Sequence, residues 1–465
     1  MSGGPATRGR RPRQIWRAAC LAAALASAPR DVAAAPPPPR PDLVLIVVES
    51  LRADHVGCYG CPLPTTPAID ALASNGTRFA AAVASSSWTQ PSMATLFSSL
   101  SPARHGMLGH RQAIRGAAVM LARHLAGAGY QTVGIVANPM LHRRHGFARG
   151  FEHFDDYTIA QAPGGIEDAG ANSSAQRATS AIVTRLGISW LRRRDPSRPL
   201  FLFLFYMDPH YDYLPPSPFD RLFTDDPVPP PRGIGSLGTS FVPPAARDRI
   251  RAAYAGEIRY TDTCIGTFLD ALQATPRGAG TAIALCGDHG EAFWEHGRTA
   301  HGHHLYDEQI RVPLIIRAPG QTPGAVVTGQ AGLIDLAPTL AALAGLVPPV
   351  DGAWEGLDLS GLLKGGSLPE RPLRLDTRID GHLRAVRTPA LKIIGKPPFE
   401  TPAEIYDLAA DPSETNNLAG VSPLPAGVDS LIPLLSPPSG EPPASTPVKL
   451  DPATLRQIKS LGYAH

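Results

Sequence analysis

Two apolar runs in this chain end abruptly on carboxylates. Leu43-Val44-Leu45-Ile46-Val47-Val48 stops at Glu49, and Thr281-Ala282-Ile283-Ala284-Leu285-Cys286-Gly287 stops at Asp288-His289-Gly290-Glu291. Runs of this length read as strands buried on both faces, as in a parallel sheet covered by helices. Ligands of such sheets sit beyond the carboxyl ends of the strands. Glu49, Asp288 and His289 are thereby delivered to one edge, where two carboxylates and an imidazole can hold a divalent cation. Thr89, in Ser86-Ser87-Trp88-Thr89-Gln90-Pro91-Ser92-Met93, precedes a short helical stretch from Ala94 to Leu100. Proline in a first turn, preceded by threonine, marks a helix start. A hydroxyl there faces unpaired N–H groups and the positive end of the helix dipole, a seat for an oxyanion. Taken alone, the same threonine reads as a plain N-cap.

The elements that position these residues alternate. Strand-like runs at Leu43–Val48, Val133–Ala137, Phe201–Phe205 and Ala282–Cys286 each switch to polar text, at Glu49, Asn138, Asp208-Pro209-His210 and Asp288. Helical patterns lie between them at Pro67 to Ser74, Gly116 to Ala128, Ala175 to Arg193 and Ala246 to Ala274. Val312 to Arg317 adds a strand and Ile334 to Ala344 a helix. This order predicts an α/β fold, a doubly wound sheet. Beyond about residue 370 the text turns to short alternating segments, Leu383 to Arg387 and Leu391 to Ile394, predicting a small antiparallel C-terminal subdomain.

The domain reading is a signal peptide at 1–35, a catalytic domain at 36–370 and the antiparallel subdomain at 371–422. A proline-rich linker and terminal docking helix, Asp451 to Leu461, occupy 423–465. The leader has a basic start (Arg8, Arg10, Arg11, Arg13, Arg17), a short alanine- and leucine-rich run and small residues before Pro36. That is the layout of an export signal, giving a periplasmic or extracellular location, and the run is too short to span a bilayer. Hydrophobic content of 43% and charged content of 18% in 465 residues suit a large globular core. With a net charge of +3, part of it from the arginines of the first 17 residues, the chain shows no basic stripe for nucleic acid. Cys58 and Cys61 flank a Tyr-Gly turn and read as ordinary thiols or one local disulfide, and Cys264 and Cys286 as core. Ala162 to Ser174 and Asp212 to Pro244 read as loops.

Seven blocks, in order, resemble the sulfatase branch of the alkaline phosphatase superfamily. They include Val48-Glu49-Ser50-Leu51-Arg52-Ala53-Asp54-His55, Thr65-Thr66-Pro67, Ser87-Trp88-Thr89-Gln90-Pro91-Ser92 and Met207-Asp208-Pro209-His210. Gly287-Asp288-His289-Gly290-Glu291 with Glu295-His296-Gly297, Leu305-Tyr306-Asp307-Glu308 and Ile405-Tyr406-Asp407-Leu408 complete the set. The resemblance implies a metal-bound nucleophile that attacks a phosphate, phosphonate or sulfate ester and forms a covalent intermediate. By position, Glu49, Thr89, Asp288 and His289 would hold one divalent ion and Thr89 would be the nucleophile. His210 and His301 would meet the transferring or leaving group as general acid, and Asn138 would join them in binding substrate. Oxygen-rich ligation with one imidazole suits Mn²⁺, Mg²⁺ or Ca²⁺, with Zn²⁺ also compatible. The substrate would be a small-molecule, glycan or lipid ester.

Three departures from that family's pattern matter. Dedicated sulfatases carry Cys or Ser in a Cys-x-Pro-x-Arg core and oxidise it to formylglycine. Here Thr89 and Met93 stand at the ends of that core. Threonine bears a methyl group on Cβ, so it cannot become the aldehyde. Threonine at this place is similar to lipoteichoic acid synthases and phosphoethanolamine transferases. Glu49 is followed by Ser50, not by a second acid, and Asn138 stands near the place of a lysine, with His142 close by. The alternatives to a phosphate or phosphonate ester hydrolase are a sulfuric ester hydrolase without formylglycine, a phospho-group transferase and a non-catalytic anion-binding descendant. Arg52 and Asp54 read as a structural pair, and Asp208 as fixing its turn. Glu257 and Asp262 read as a salt-bridged helix face, and His296, His303 and His304 as solvated.

Overall fold

The computed structural model describes residues 1, 3–4, 40–156, 179–231, 242–350, 352–436 and 447–449. Nearly all of the leader, residues 162–174, 232–241 and the terminal segment 451–461 lie outside them.

The apolar runs are strands, and they stack side by side. The main sheet is built from β1 (Leu43–Val48), β2 (Thr77–Val83), β3 (Gln131–Val136), β4 (His153–Asp155), β5 (Leu200–Tyr206) and β6 (Ala282–Gly287). A hairpin of β7 (Ala292–Phe293) and β8 (Thr299–Ala300) precedes three further members, β9 (Arg311–Val312), β10 (Leu314–Arg317) and β11 (Ala325–Gly332). The order is β11-β2-β10-β6-β1-β5-β3-β4, with β9 against β2. β1 pairs in parallel with β5 and β6, whereas β10 runs antiparallel between β6 and β2. The sheet is therefore mixed. The single strand expected at 312–317 is split at Pro313, which has no N–H to give a ladder.

Alternate side chains on the central strands sort into two cores. Leu43, Leu45, Val47, Phe201, Phe203 and Phe205 pack with α2 (Thr89–Ser98), α3 (Leu121–Gly127) and α6 (Leu336–Leu343). Val44, Ile46, Val48, Leu202 and Leu204 pack with α1 (Pro67–Ser74), α4 (Ser180–Arg193) and α5 (Pro244–Gln273). Each fully buried Leu, Ile, Val or Phe contributes roughly 1.5–3 kcal/mol. Two-sided burial explains why β1, β5 and β6 are apolar at every position rather than alternating.

Asp262 and Glu257 depart from the expected salt-bridged face. Asp262 is buried, and its two oxygens accept the N–H groups of Ala68 (3.0 Å) and Ile69 (2.9 Å), capping α1 from another helix. Arg259 lies 3.8 Å away as a secondary partner. Glu257 is also buried and serves the loop after β5, as described below.

A second sheet, β12 (Leu373–Thr377), β13 (Leu383–Arg387), β14 (Leu391–Gly395) and β15 (Pro402–Asp407), is antiparallel throughout. Asp376 N–H reaches Ser85 O, and Ser86 Oγ reaches Asp376 O, tying this sheet to the segment before α2. Part of the expected linker is folded. α7 (Val428–Leu431) and a 3-10 turn at Ile432–Leu435 bury Val428, Leu431 and Leu435 against β13 and β14 residues. Apolar side chains within the proline-rich text are what dock it. Cys58 and Cys61 are free thiols, so the disulfide alternative is not formed, and Cys264 and Cys286 are core.

Candidate active site

Register sets the site. Val48 is level with Tyr206 on β5 and Gly287 on β6, so Glu49, Met207 and Asp288 leave the sheet at one height. The chain bends sharply at Ser50, a non-glycine residue at φ 53°, which costs of order 1–3 kcal/mol and clusters at functional sites. Tyr254 on α5 holds the bend, donating to Ser50 O (2.6 Å) and accepting from Arg52 N–H (3.1 Å). Gly287 admits the close approach, since a Cβ there would lie 2.6 Å from Leu51 O. Arg52 pairs with Asp54 (2.7 Å) and Glu295 (2.5 Å) as a clamp beside the site.

Thr89 is the first residue of α2 and not its N-cap. Trp88 holds the N-cap position without a capping side chain. The Thr89 hydroxyl turns instead to Glu49 Oε1, to which it donates at 2.9 Å, and lies 3.3 Å from His289 Nε2. Glu49, Thr89, Asp288 and His289 are all fully buried. Ser92 Oγ donates to Asp288 O (2.5 Å), fastening α2 to the end of β6.

The protonation pattern suits a cation. His289 Nδ1 lies 2.8 Å from Gly290 O, which only accepts, so Nδ1 carries the hydrogen and the Nε2 lone pair faces Thr89 and Asp288 Oδ2 (3.4 Å). Burial pushes the His289 imidazole down to about 4, keeping that lone pair available. Asp288 Oδ1 accepts the N–H groups of Ser50 (2.9 Å) and His289 (2.8 Å). Its Oδ2 is buried without a hydrogen-bond partner, and burial pushes this carboxyl up to about 8. An orphaned buried carboxylate oxygen is costly unless a cation meets it. One ligand atom each from Glu49, Asp288 and His289 lies within 4.8 Å of the others, so these residues fit a divalent ion.

Asn138 reaches the same centre but faces Glu49. Its Nδ2 donates to Glu49 Oε1 (2.6 Å) and Oε2 (2.7 Å), while Oδ1 accepts Met140 N–H (2.7 Å). Its amide thus clamps the Glu49 carboxylate. His142 turns away, accepting Arg144 N–H and lying 3.6 Å from Asp156.

His210 and His301 converge on the centre from two other elements. His210 follows β5, with Nε2 3.8 Å from Glu49 Oε1 and Nδ1 2.6 Å from Tyr211 O. His301 follows β8, its ring centroid 4.4 Å from that of His289 and 5.3 Å from that of His210. Burial and neighbouring imidazoles hold both well below the ordinary histidine value. The His210 loop hangs on Glu257, whose carboxylate accepts the N–H groups of His210 (3.2 Å) and Leu214 (2.8 Å). Sequence reading missed Glu257 and Tyr254. Both fall on the buried stripe Ile250, Tyr254, Glu257, Ile258, Thr261, Ile265, Phe268, a period that marks them as core-facing. Asp208 fixes its turn as expected, accepting from Ser180 N–H (2.8 Å), Ser180 Oγ and Thr179 Oγ1.

The expectation of solvated histidines downstream is corrected. His304 is buried, His296 sits 2.8 Å from Glu308 and stacks on Tyr306, and His303 faces Asp380 at 3.0 Å. The C-terminal subdomain closes over this segment, and no local period foretells that. Met93 is fully buried among apolar side chains, so no charge stands at that helix position.

The family model "Sulfatase" matches residues 41–346. Arylsulfatase of Clostridium perfringens is 28% identical over 382 residues, covering 70% of this chain and 79% of its own. Iduronate 2-sulfatase of Homo sapiens is 26% identical, covering 66% and 70%. Among solved structures, the phosphonate monoester hydrolase of Agrobacterium radiobacter superposes with a TM-score of 0.66 at 23% identity, covering 82% of this chain and 92% of its own. A protein solved with its substrate D-glucosamine-2-N,6-O-disulfate gives 0.70 at 20% identity, covering 85% and 97%. The chain belongs to the sulfatase family, within the alkaline phosphatase superfamily of ester-hydrolysing enzymes.

Proposed function

We propose that this chain is a metal-dependent hydrolase that cleaves phosphonate, phosphate or sulfate esters with Thr89 as an unmodified nucleophile. The observation that carries this reading is the Thr89 hydroxyl, 2.9 Å from Glu49 and 3.3 Å from His289, beside the orphaned oxygen of Asp288. One divalent ion would be held by Glu49, Asp288, His289 and Thr89; when bound, it lowers the pKa of the alcohol and offsets charge on the transferring group.

Thr89 Oγ1 forms a bond to phosphorus or sulfur while its proton leaves along the hydrogen bond to Glu49 Oε1. The bond to the leaving oxygen breaks with its electron pair, and that oxygen takes a proton from His210 or His301 in its imidazolium form, the ring having first taken that proton from solvent. Water then attacks the covalent Thr89 ester, gives its proton back to the histidine, and the threonine oxygen recovers its own.

Charge narrows the substrate class. Dedicated sulfatases carry arginine where Met93 is buried in the core, so that helix position offers no fixed cation. Esters with one negative charge (sulfate monoesters, phosphonate monoesters and phosphodiesters) suit this balance better than dianionic phosphate monoesters. The leader pattern supports export, and among the described residues no helix is long and apolar enough to cross a membrane.

The test is a panel of nitrophenyl sulfate, phosphonate, phosphodiester and phosphate substrates with metals added back to wild type and Thr89→Ala. The variant should lose at least about a hundredfold in kcat/KM, roughly 3 kcal/mol of barrier. Unchanged turnover would remove Thr89 as nucleophile.

A further inference from the structure

We propose that Glu291 is a positioning residue that acts through His301, fixing which imidazole nitrogen meets the leaving group. The inference rests on the hydrolase reading above and assigns a role to a residue outside the cation set. Glu291 is fully buried, and its Oε1 and Oε2 lie 3.2 Å and 3.3 Å from His301 Nδ1. A carboxylate accepts, so the Nδ1 hydrogen points at Glu291. With Nδ1 committed, contact between His301 and a leaving oxygen runs through Nε2. The buried acid thereby orients the ring, as the orienting acid does in a nucleophile–base–carboxylate triad.

The backbone is built to hold this pair. Glu291 N–H donates to Glu308 O (2.9 Å), and Arg52 Nη1 donates to Glu291 O (2.9 Å), so the acid is pinned from both sides. His301 sits between two left-handed residues, Ala300 at φ 64° and Gly302 at φ 89°. Alanine in that region is strained. A Cβ on Gly302 would also lie 2.5 Å from Ile379 Cδ1. Gly302 O accepts from Thr377 Oγ1 (2.7 Å), so the C-terminal subdomain braces the turn. The ring itself packs against His289, His210 and Tyr211. A strained turn that aims an imidazole at a buried carboxylate on one side and a nucleophile centre on the other is the arrangement of an oriented acid.

Protonation of the leaving oxygen matters for a poor leaving group and little for 4-nitrophenolate. The experiment compares Glu291→Gln with wild type on the 4-nitrophenyl and phenyl esters of whichever acid group the wild type turns over best. Glutamine has almost the same shape but can turn either its oxygen or its NH2 to Nδ1, so the ring is no longer held in one tautomer. The expected result is a loss of under tenfold on the nitrophenyl ester and at least tenfold more on the phenyl ester. In a His301→Ala background, Glu291→Gln should add no further loss on either ester. An equal loss on both esters, or the same extra loss without His301, overturns the proposal. Thermal unfolding checks the fold, and Glu291→Asp carries the same comparison if the glutamine variant does not fold. Wild-type turnover of the nitrophenyl ester that depends on Thr89 keeps the hydrolase reading intact whichever way Glu291 behaves.

Discussion

Asn138 spends both hydrogens of its amide on one carboxylate, reaching Glu49 Oε1 at 2.6 Å and Oε2 at 2.7 Å. Its orientation is assigned by Met140 N–H, which takes the amide oxygen. Glu49 is thus clamped in plane, and the remaining lone pair of Oε1 receives Thr89. Partners of this kind, once removed, typically cost tenfold to a hundredfold in metal affinity. Asn138→Ala should weaken Mn²⁺ binding by about that factor with little change in the unfolding midpoint of the metal-free protein. Asn138→Asp should do worse, because it sets two carboxylates against each other. Isothermal titration calorimetry reads both.

Cation binding should depend on pH through Asp288. Burial raises this carboxyl to about 8, so in the metal-free protein it carries a proton at neutral pH. The ion must displace that proton. Apparent affinity is therefore expected to fall about tenfold for each pH unit below 8 and to level off above it. His289, pushed down to about 4, adds nothing in that range. Titrations in buffers of different ionisation enthalpy should count about one proton released near pH 7. No release would show that Asp288 is already ionised.

Substrate charge should separate two pH profiles. A phosphate monoester takes its second negative charge near pH 6, whereas a phosphodiester stays singly charged. With Met93 buried and uncharged at its helix position, kcat/KM for 4-nitrophenyl phosphate should drop as pH rises through about 6 relative to bis(4-nitrophenyl) phosphate. At pH 8 the diester should lead by at least tenfold. A higher kcat/KM for the dianion would overturn the charge argument.

Asp307 ties the two sheets together. It pairs with Arg387 (2.7 Å) and with the fully buried Lys392 (2.6 Å), which also meets Glu414 (2.6 Å). Burial raises the Asp307 carboxyl, and Lys392 and Arg387 overcome that to hold it well below the usual carboxylate range. Breaking such a buried cluster costs roughly 3–5 kcal/mol. Asp307→Asn should lose about that much stability at pH 7 in urea unfolding. Because the folded pKa is depressed, this contribution is complete above the unfolded value of about 4 and is lost as pH falls through the folded one. The gap between variant and wild type should narrow below pH 4.

The central strands were legible because two-sided burial leaves no polar position to interrupt β1, β5 or β6. β2 was not, since Thr77-Arg78-Phe79-Ala80-Ala81-Ala82-Val83 has neither a clean alternation nor β-branched bulk. β11 breaks its own pattern at Gly329, where the pairing register also shifts. Glu49, Thr89, Asp288 and His289 could be read from their places after strands or at a helix start, and the structure gathers them within contact. Asn138 was found by position, but its direction depends on Met140 N–H, a tertiary detail. Glu257 was read as part of a salt-bridged helix face because its true partners lie on a loop 43 and 47 residues away. The His296–His304 segment misled because a distant subdomain decides its exposure.

The parallel pairing of β6 with β1 has a temporal side. Asp288 and His289 are made some 240 residues after Glu49, and they come level with it only once β6 has slotted between β1 and β10. A nascent chain that has produced Thr89, β3 and β5 already owns the proposed nucleophile but not the Asp288 and His289 that lie beside it. Regained turnover during refolding would accordingly time the insertion of one middle strand, not the collapse of the chain, and long-range pairings of this sort form slowly.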